Sequence, residues 1–268
     1  MKIEVRETKT PGVIQITTLD ERWYRHPDHP DIDFSSWTWV AGCYPKGIQF
    51  YKWIASKGWD ESQAIKQSAG EKGSRVHKGI EILLAGGPLR MNDVLPDNDG
   101  NQAEFSVEEW ECLMSFADWF KDTKPEILQT EQSVFNFTLN HAGTLDLKCK
   151  IGEDIWIIDF KTGQNLWPEY EVQVNGYKSC ENMEDVTKMG ILRIGYKANK
   201  RHWKLDEIDP CPQLVQAAHE IWLHEYGNVK PRQMEYPTEL CLIEKPASKV
   251  EPLIESIIDK HLKPIKKG

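Results

Sequence analysis

No two cysteines in this chain sit two residues apart. The six, at positions 43, 112, 149, 180, 211 and 241, are scattered. That argues against a zinc or iron–sulfur site. The sequence also lacks an apolar run long enough to span a membrane. Its opening residues, Met-Lys-Ile-Glu-Val-Arg-Glu, lack the apolar core of a signal peptide. A soluble, cytoplasmic protein without a membrane partner is expected. Positive charge is in deficit: 33 Lys and Arg stand against 42 Asp and Glu, a net charge of −9. That argues against a protein held to nucleic acid by a general positive field. Any such binding must rest on a local basic patch and on metal neutralising the acids. There is no internal repeat and no long low-complexity run. What the chain does have is 268 residues, 40% of them hydrophobic, with 11 Trp. That suffices for a sizeable core in one large domain or two small ones.

The central stretch is Gly143 to Gly163, GTLDLKCKIGEDIWIIDFKTG. It reads as two strands joined by a tight turn at Gly152-Glu153, with Gly where φ > 0 is tolerated. The register that pairs Ile151 with Asp154 also sets Asp146 opposite Asp159. Their Cβ atoms would then lie about 5 Å apart. Lys161, two residues on, projects from the same face as Asp159. Like charges opposite each other destabilise a hairpin unless something positive lies between them. Mg²⁺ or Mn²⁺ suits such oxygen ligands. The lysine can then hold an attacking water or stabilise charge on a phosphate. The alternative is a solvated charged face, since Asp-x-Lys alone is a weak signal. Asp159, however, ends the apolar run Ile155-Trp156-Ile157-Ile158, which reads as a buried strand. Cys149 in the same hairpin is expected to be a reduced, buried thiol.

Elsewhere, residues 2–24 predict two strands around Pro11-Gly12, and 25–34 a loop in which His26 and His29 are solvated or bind metal. Ser35 or Ser36 can cap a short helix, and a second helix is predicted over 46–56. The aromatics of 35–58 are core or a base-stacking surface. Residues 60–85 predict a helix broken near Gly70-Gly73, and 86–102 a polar loop. The Ser106/Glu109 capping box opens a helix over 106–122. A strand over 126–137 carries Glu131. A helix over 169–180 carries Gln173 and Tyr177 one turn apart. A second hairpin spans 189–208. Its tip holds Lys197, Lys200, Arg201 and Lys204, either a solvated turn or a phosphate contact. A helix follows over 211–226, then a linker over 237–249 and a basic amphipathic tail ending in Lys263, Lys266 and Lys267.

In order, these motifs resemble the PD-(D/E)xK nuclease superfamily, in particular its RecB-type exonuclease branch. Gly73-Ser-Arg-Val-His77 is similar to its Gly-x-x-x-His element. Glu131, Gly143-Thr-Leu-Asp146, Asp159-Phe-Lys161-Thr-Gly163 and Gln173-Val-Asn-Gly-Tyr177 follow. The resemblance covers roughly residues 35–225 and is specific as a set. It implies an α/β (α+β) restriction-endonuclease-like core: a central mixed sheet flanked by helices, with an N-terminal helical elaboration. One nuclease domain would span 1–236, its core about 70–225, with a C-terminal linker and tail over 237–268. Asp146, Asp159, His77 and the Phe160 carbonyl would hold Mg²⁺ or Mn²⁺. Lys161 would position water, Glu131 would support metal or water, and Gln173 and Tyr177 would steady the site or the DNA. The implied activity is metal-dependent DNA exonuclease in phage or bacterial recombination and repair, with a recombinase or single-strand-binding protein as partner. A flap or structure-specific endonuclease and a silent DNA-binding scaffold are the alternatives. No iron–sulfur cluster is expected, because the clustered C-terminal cysteines of some relatives are missing.

Overall fold

The structure is a computed structural model that describes residues 4–18, 21–97, 100–227 and 229–231. The chain divides into two compact units, Met1–Pro231 and Arg232–Gly268. The second lies outside the described residues, and with it the expected linker and the tail with Lys263, Lys266 and Lys267.

Alternating residues at the N-terminus form a β-meander. β1 (Glu4–Glu7) and β2 (Ile14–Thr17) pair antiparallel around Pro11-Gly12, with Val5 opposite Ile16. β3 (Arg22–His26) and β4 (His29–Ser36) extend the meander where a loop was expected. Pro27-Asp28 is the turn between them. Pro30 falls where the β3–β4 register shifts, between the His26–His29 and Tyr24–Phe34 pairs, so its missing N–H breaks neither pair. His26 and His29 pack their rings against Phe135 and Phe137, with centroids 4.9 and 4.8 Å apart. They therefore act as packing residues of a small aromatic cluster.

Ser36 caps α1 (Trp37–Gly42), accepting the Trp39 N–H. α2 (Ile48–Lys57) buries none of its residues. α3 (Trp59–Leu84) runs unbroken through Gly70 and Gly73. Each glycine costs about 1 kcal/mol relative to Ala in a helix. Burial of Val76 and Ile80 against the next helix offsets that cost. The expected polar loop contains a small hairpin, β5 (Val94–Pro96) and β6 (Gln102–Glu104). The capping box forms as expected and opens α4 (Val107–Thr123). β7 (Glu126–Asn136), β8 (His141–Ile151) and β9 (Asp154–Lys161) follow, then α5 (Pro168–Lys178). β10 (Lys188–Ile194), β11 (Trp203–Ile208) and α6 (Pro212–Tyr226) complete the described residues.

Among the described residues the main sheet has nine strands in the order β1-β2-β3-β4-β8-β9-β10-β11, with β7 on the other edge of β8. It is mixed: β4–β8 and β9–β10 are parallel, and the other pairs are antiparallel. Trp37 of α1, Val172 and Val174 of α5 and Trp222 of α6 cover one face. Val76 and Ile80 of α3 with Leu113, Phe116 and Trp119 of α4 cover the other. The expected central mixed sheet flanked by helices is present. The N-terminal addition is largely sheet, with four strands ahead of the first helix. No helix among the described residues is long and apolar enough to cross a membrane.

One edge of β8 is shared. β4 takes its start, at His141 and Ala142, and β9 takes its end, from Leu147 to Ile151. Between these ladders, residues 143–145 pair only with β7, and Asp146 lies in no ladder pair among the described residues. The predicted turn forms at Gly152 with φ +63°. The five observed β8–β9 pairs follow the predicted register.

His141 seals the β4 end of this gap. It is fully buried, with Nδ1 2.6 Å from Ser35 Oγ and Nε2 2.7 Å from His219 Nδ1. Burial, helped by the neighbouring His219, pushes its pKa down to about 3. An unfolded imidazole takes a proton near about 6.5. The unfolded chain therefore binds more protons at this position between about pH 6.5 and 3. The stability from neutral His141 is present above that window and is lost as pH falls through it. Urea unfolding at pH 7 and at pH 4.5 will show a smaller drop in stability for His141→Gln than for the wild type. Equal drops would remove His141 from the acid response.

Candidate active site

Three acids from three neighbouring strands fall in one row. The pairs Thr130–Leu147 and Gln132–Leu145 bracket Glu131 and Asp146 between β7 and β8. On the other side, the β8–β9 ladder ends at Leu147–Ile158, one step short of Asp146 and Asp159. It ends there because the Asp146 side chain takes the bond: its Oδ2 accepts the Phe160 N–H at 2.7 Å. Glu131 leaves its ladder with φ +52°, a left-handed conformation that a non-glycine residue adopts at a cost of about 1–3 kcal/mol. Its carboxylate, a His77 ring nitrogen and an Asp146 oxygen lie within 4.8 Å of one another.

α3 delivers His77 and α5 delivers the polar residues on the other side. His77 Nε2–H donates to the Phe160 carbonyl at 3.0 Å, and Nδ1 lies 3.5 Å from Asp146 Oδ1. Asp159 is held differently. Its Oδ2 lies 2.6 Å from Lys161 Nζ, and its Oδ1 accepts from Gln173 Nε2 at 3.0 Å. Gln173 Nε2 also donates to the Tyr177 hydroxyl at 2.7 Å. Its Oε1 is 3.3 Å from Lys161 Nζ. The Lys161 ammonium stands over the Tyr170 ring, 4.7 Å from its centroid.

Burial and opposite charge compete at each group. Burial works against a charged His77, but the Asp146 carboxylate outweighs it and lifts the imidazole to about 9. Burial likewise opposes the Asp146 charge, yet His77 and Lys161 hold that carboxyl below its ordinary range. Burial, with added repulsion from Asp146, pushes Glu131 up to about 7. Asp159 is also raised, chiefly by burial, although Lys161 pulls the other way. Lys161 rises despite burial, because Asp159 and Asp146 favour its ammonium. It is therefore a cation at neutral pH.

The donor set fits a hard or borderline divalent cation: carboxylate oxygens and, once the ion displaces its proton, one imidazole nitrogen around a single point, without sulfur. Among the described residues His77, Glu131 and Asp146 form the group within reach of one ion. Asp159 is tied to Lys161 and Gln173, and the Phe160 carbonyl is taken by His77. All the side chains expected at the site except the basic tip line one pocket of about 320 Å³.

The tip of the β10–β11 hairpin is elsewhere. Lys197, Lys200, Arg201 and Lys204 are exposed, and none lines that pocket. Lys200 and Arg201 border a separate cleft of about 440 Å³ with Glu111, Asp118 and Asp122 of α4. Lys204 is 2.6 Å from Asp206, and Arg201 stands over Trp203. The Lys197 N–H is bonded to Gln164, just beyond β9. The pocket instead takes its remaining polar wall from residues the sequence reading missed: Arg6, Gln15, Arg22, Tyr24 and Thr144. For the first four the available signal was the alternation of β1–β3, which puts them on the face opposite Val5, Ile16 and Trp23.

No protein family matches the chain, and no curated protein matches it. Among solved structures it is similar to an alkaline exonuclease, LHK-Exo, from Laribacter hongkongensis. That likeness has 11% identity and a TM-score of 0.37, over 84% of this chain and 91% of the other. It is also similar to SSO0001, at 14% identity and a TM-score of 0.28, over 46% of this chain and 59% of the other. Likenesses this loose assign no activity.

The site depends on a close approach at Gly143. A Cβ there would stand 2.4 Å from Cε1 of Tyr177. Gly143→Ala will displace the Tyr177 ring and cost about 1–3 kcal/mol in urea unfolding, the usual range for overpacking. Combined with Tyr177→Ala, which removes the ring, the loss will be clearly less than additive. Additive losses would show that the ring does not constrain Gly143.

Proposed function

We propose that this protein is a divalent-metal-dependent nuclease of the PD-(D/E)xK type, with a RecB-like exonuclease arrangement and DNA as substrate. One observation carries the reading. A lysine ammonium and three carboxylates converge with an imidazole in a pocket of an otherwise acidic chain. His77, Glu131 and Asp146, which lie within reach of one ion, would hold Mg²⁺ or Mn²⁺, and Asp159, paired here with Lys161, would join them. When bound, such an ion acidifies a coordinated water and neutralises charge on a phosphodiester.

The chain's own groups take the other roles. Lys161, charged at neutral pH, aligns the attacking water and meets the charge that grows on the phosphate oxygens. Its low proton-donating tendency makes it an electrostatic group and not the proton acceptor. Gln173 holds Asp159 and Lys161 in register, and Tyr177 holds Gln173. The His77 ring braces Phe160, between the Asp and Lys of the motif. The exposed tip offers Lys197, Lys200 and Arg201 to DNA outside the pocket, while Lys204 is held by Asp206.

Digestion of end-labelled linear and circular DNA, single- and double-stranded, with Mg²⁺ or Mn²⁺ tests the reading. Release of short products from linear ends alone supports exonuclease action; nicking of circles supports the endonuclease alternative. No cleavage of any of these substrates overturns the nuclease reading.

Two variants test the roles. Asp159→Asn will lose turnover and much of the Mn²⁺-induced rise in melting temperature while remaining folded. Lys161→Ala will lose about 10²–10³-fold in kcat and keep the Mn²⁺ shift, which reaches about 2.7 kcal/mol at a hundredfold excess over Kd. Loss of metal stabilisation in Lys161→Ala equal to that of Asp159→Asn would make the lysine a structural residue.

A further inference from the structure

Two of the four lysines and arginines that line the pocket are already neutralised. Lys161 is paired with Asp159, and Lys78 lies 2.8 Å from Glu81. Arg6 and Arg22 also line the pocket, and neither has a carboxylate partner among the described residues. They come from strands far from the central hairpin in sequence.

The register of the meander sets both on one face. Arg6 pairs with Gln15 and Gln15 with Tyr24, forming a row across β1, β2 and β3. Arg22 lies two residues before Tyr24 on β3 and so shares its face. A hydrogen-bond chain runs along the row. Arg6 Nε–H donates to Gln15 Oε1 at 2.6 Å, and Gln15 Nε2 donates to the Tyr24 hydroxyl at 2.6 Å. That hydroxyl lies 3.1 Å from Thr144 Oγ1, two residues from Asp146. Gln15 and Tyr24 are each 1% exposed. Arg6 is thus tethered through Nε to the strand that carries Asp146. Its terminal amino groups have no hydrogen-bond partner among the described residues. Arg22 borders both this pocket and a neighbouring one of about 420 Å³, as does Thr38.

We propose that Arg6 and Arg22 grip successive backbone phosphates of one polynucleotide strand, leading it between the two pockets past Lys161. This rests on the nuclease reading and names what holds its substrate. The guanidinium fork matches a phosphate in geometry and charge. The bland account is that an edge strand such as β1 carries a charge to prevent strand pairing. It covers an exposed Arg6. It accounts neither for the buried chain that tethers Arg6 nor for Arg22 on the inner strand β3.

The test is anisotropy of the full-length protein with fluorescent single- and double-stranded oligonucleotides in Ca²⁺, from 50 to 200 mM NaCl. Each phosphate contact contributes about 0.7 to the salt slope on single strands and about 0.9 on duplex. The double variant Arg6→Gln/Arg22→Gln will lower the slope by about 1.4–1.8, two such contacts. It will raise KM with kcat little changed, and keep the wild-type Mn²⁺ shift. Arg22→Lys, which retains the charge, will recover most of the slope. A wild-type slope in the double variant overturns this inference, and leaves the nuclease reading standing if the wild type still cleaves. Loss of the Mn²⁺ shift in the double variant also overturns it, by showing that the arginines support the fold of the site. A wild type that neither binds nor cleaves the oligonucleotides overturns both.

Discussion

Like-charge repulsion among Glu131, Asp146 and Asp159 is the constraint around which the centre of this protein is arranged. Two unit charges 4 Å apart repel by about 4 kcal/mol at the effective dielectric typical of proteins. Two buried acids with a half-buried third in one row would unfold or neutralise unless opposed. His77 opposes them at Asp146, and Lys161 opposes them at Asp159. The compensation is incomplete at Glu131, which burial first and repulsion from Asp146 second keep raised toward neutrality. A site that is short of positive charge by itself is one that gains from a cation.

The fold supplies that arrangement through an interruption in its sheet. A continuous ladder along β8 would have spent its backbone groups on neighbours and closed the surface. Division of the edge between β4 and β9 leaves residues 143–146 open to side chains. Asp146 then replaces the missing ladder bond with its own carboxylate oxygen. Helices on both faces reach the same point, α3 with His77 and α5 with Gln173 and Tyr177. Gly143 lets the Tyr177 ring approach the backbone closely.

The hairpin was legible because its information is local. A two-residue turn with Gly152 fixes the register, and the register fixes which side chains meet. The capping box at Ser106 was legible for the same reason. Three readings failed on context. Pro27 and Pro30 suggested a loop, but one is in a turn and the other in an interrupted ladder, so 25–34 forms strands. Gly70 and Gly73 suggested a break, but packing of α3 outweighs their propensity. The small hairpin in 86–102 has few apolar residues to announce it. Within the site, the grouping of His77 with Glu131 and Asp146 depends on Glu131 leaving its ladder at positive φ. No alternation pattern encodes that. Nor could sequence distance show that the basic tip would border the acidic face of α4.

An acidic chain that handles a polyanion has to concentrate attraction where it is needed. Charge runs in sequence are a poor guide to that place, because neighbouring cations repel one another and are readily drawn to local carboxylates. Lys204 at the tip has such a partner in Asp206, whereas Arg6 and Arg22 have none among the described residues. These two are sixteen residues apart in number yet share one sheet face through β2. Pairing of strands thus gathers isolated cations beside the acids without a basic segment. The same pairing ties Arg6 to Thr144 through Gln15 and Tyr24, so its position follows that of the strand bearing Asp146. A negative net charge is consistent with phosphate binding when the fold, and not composition, sets the local field.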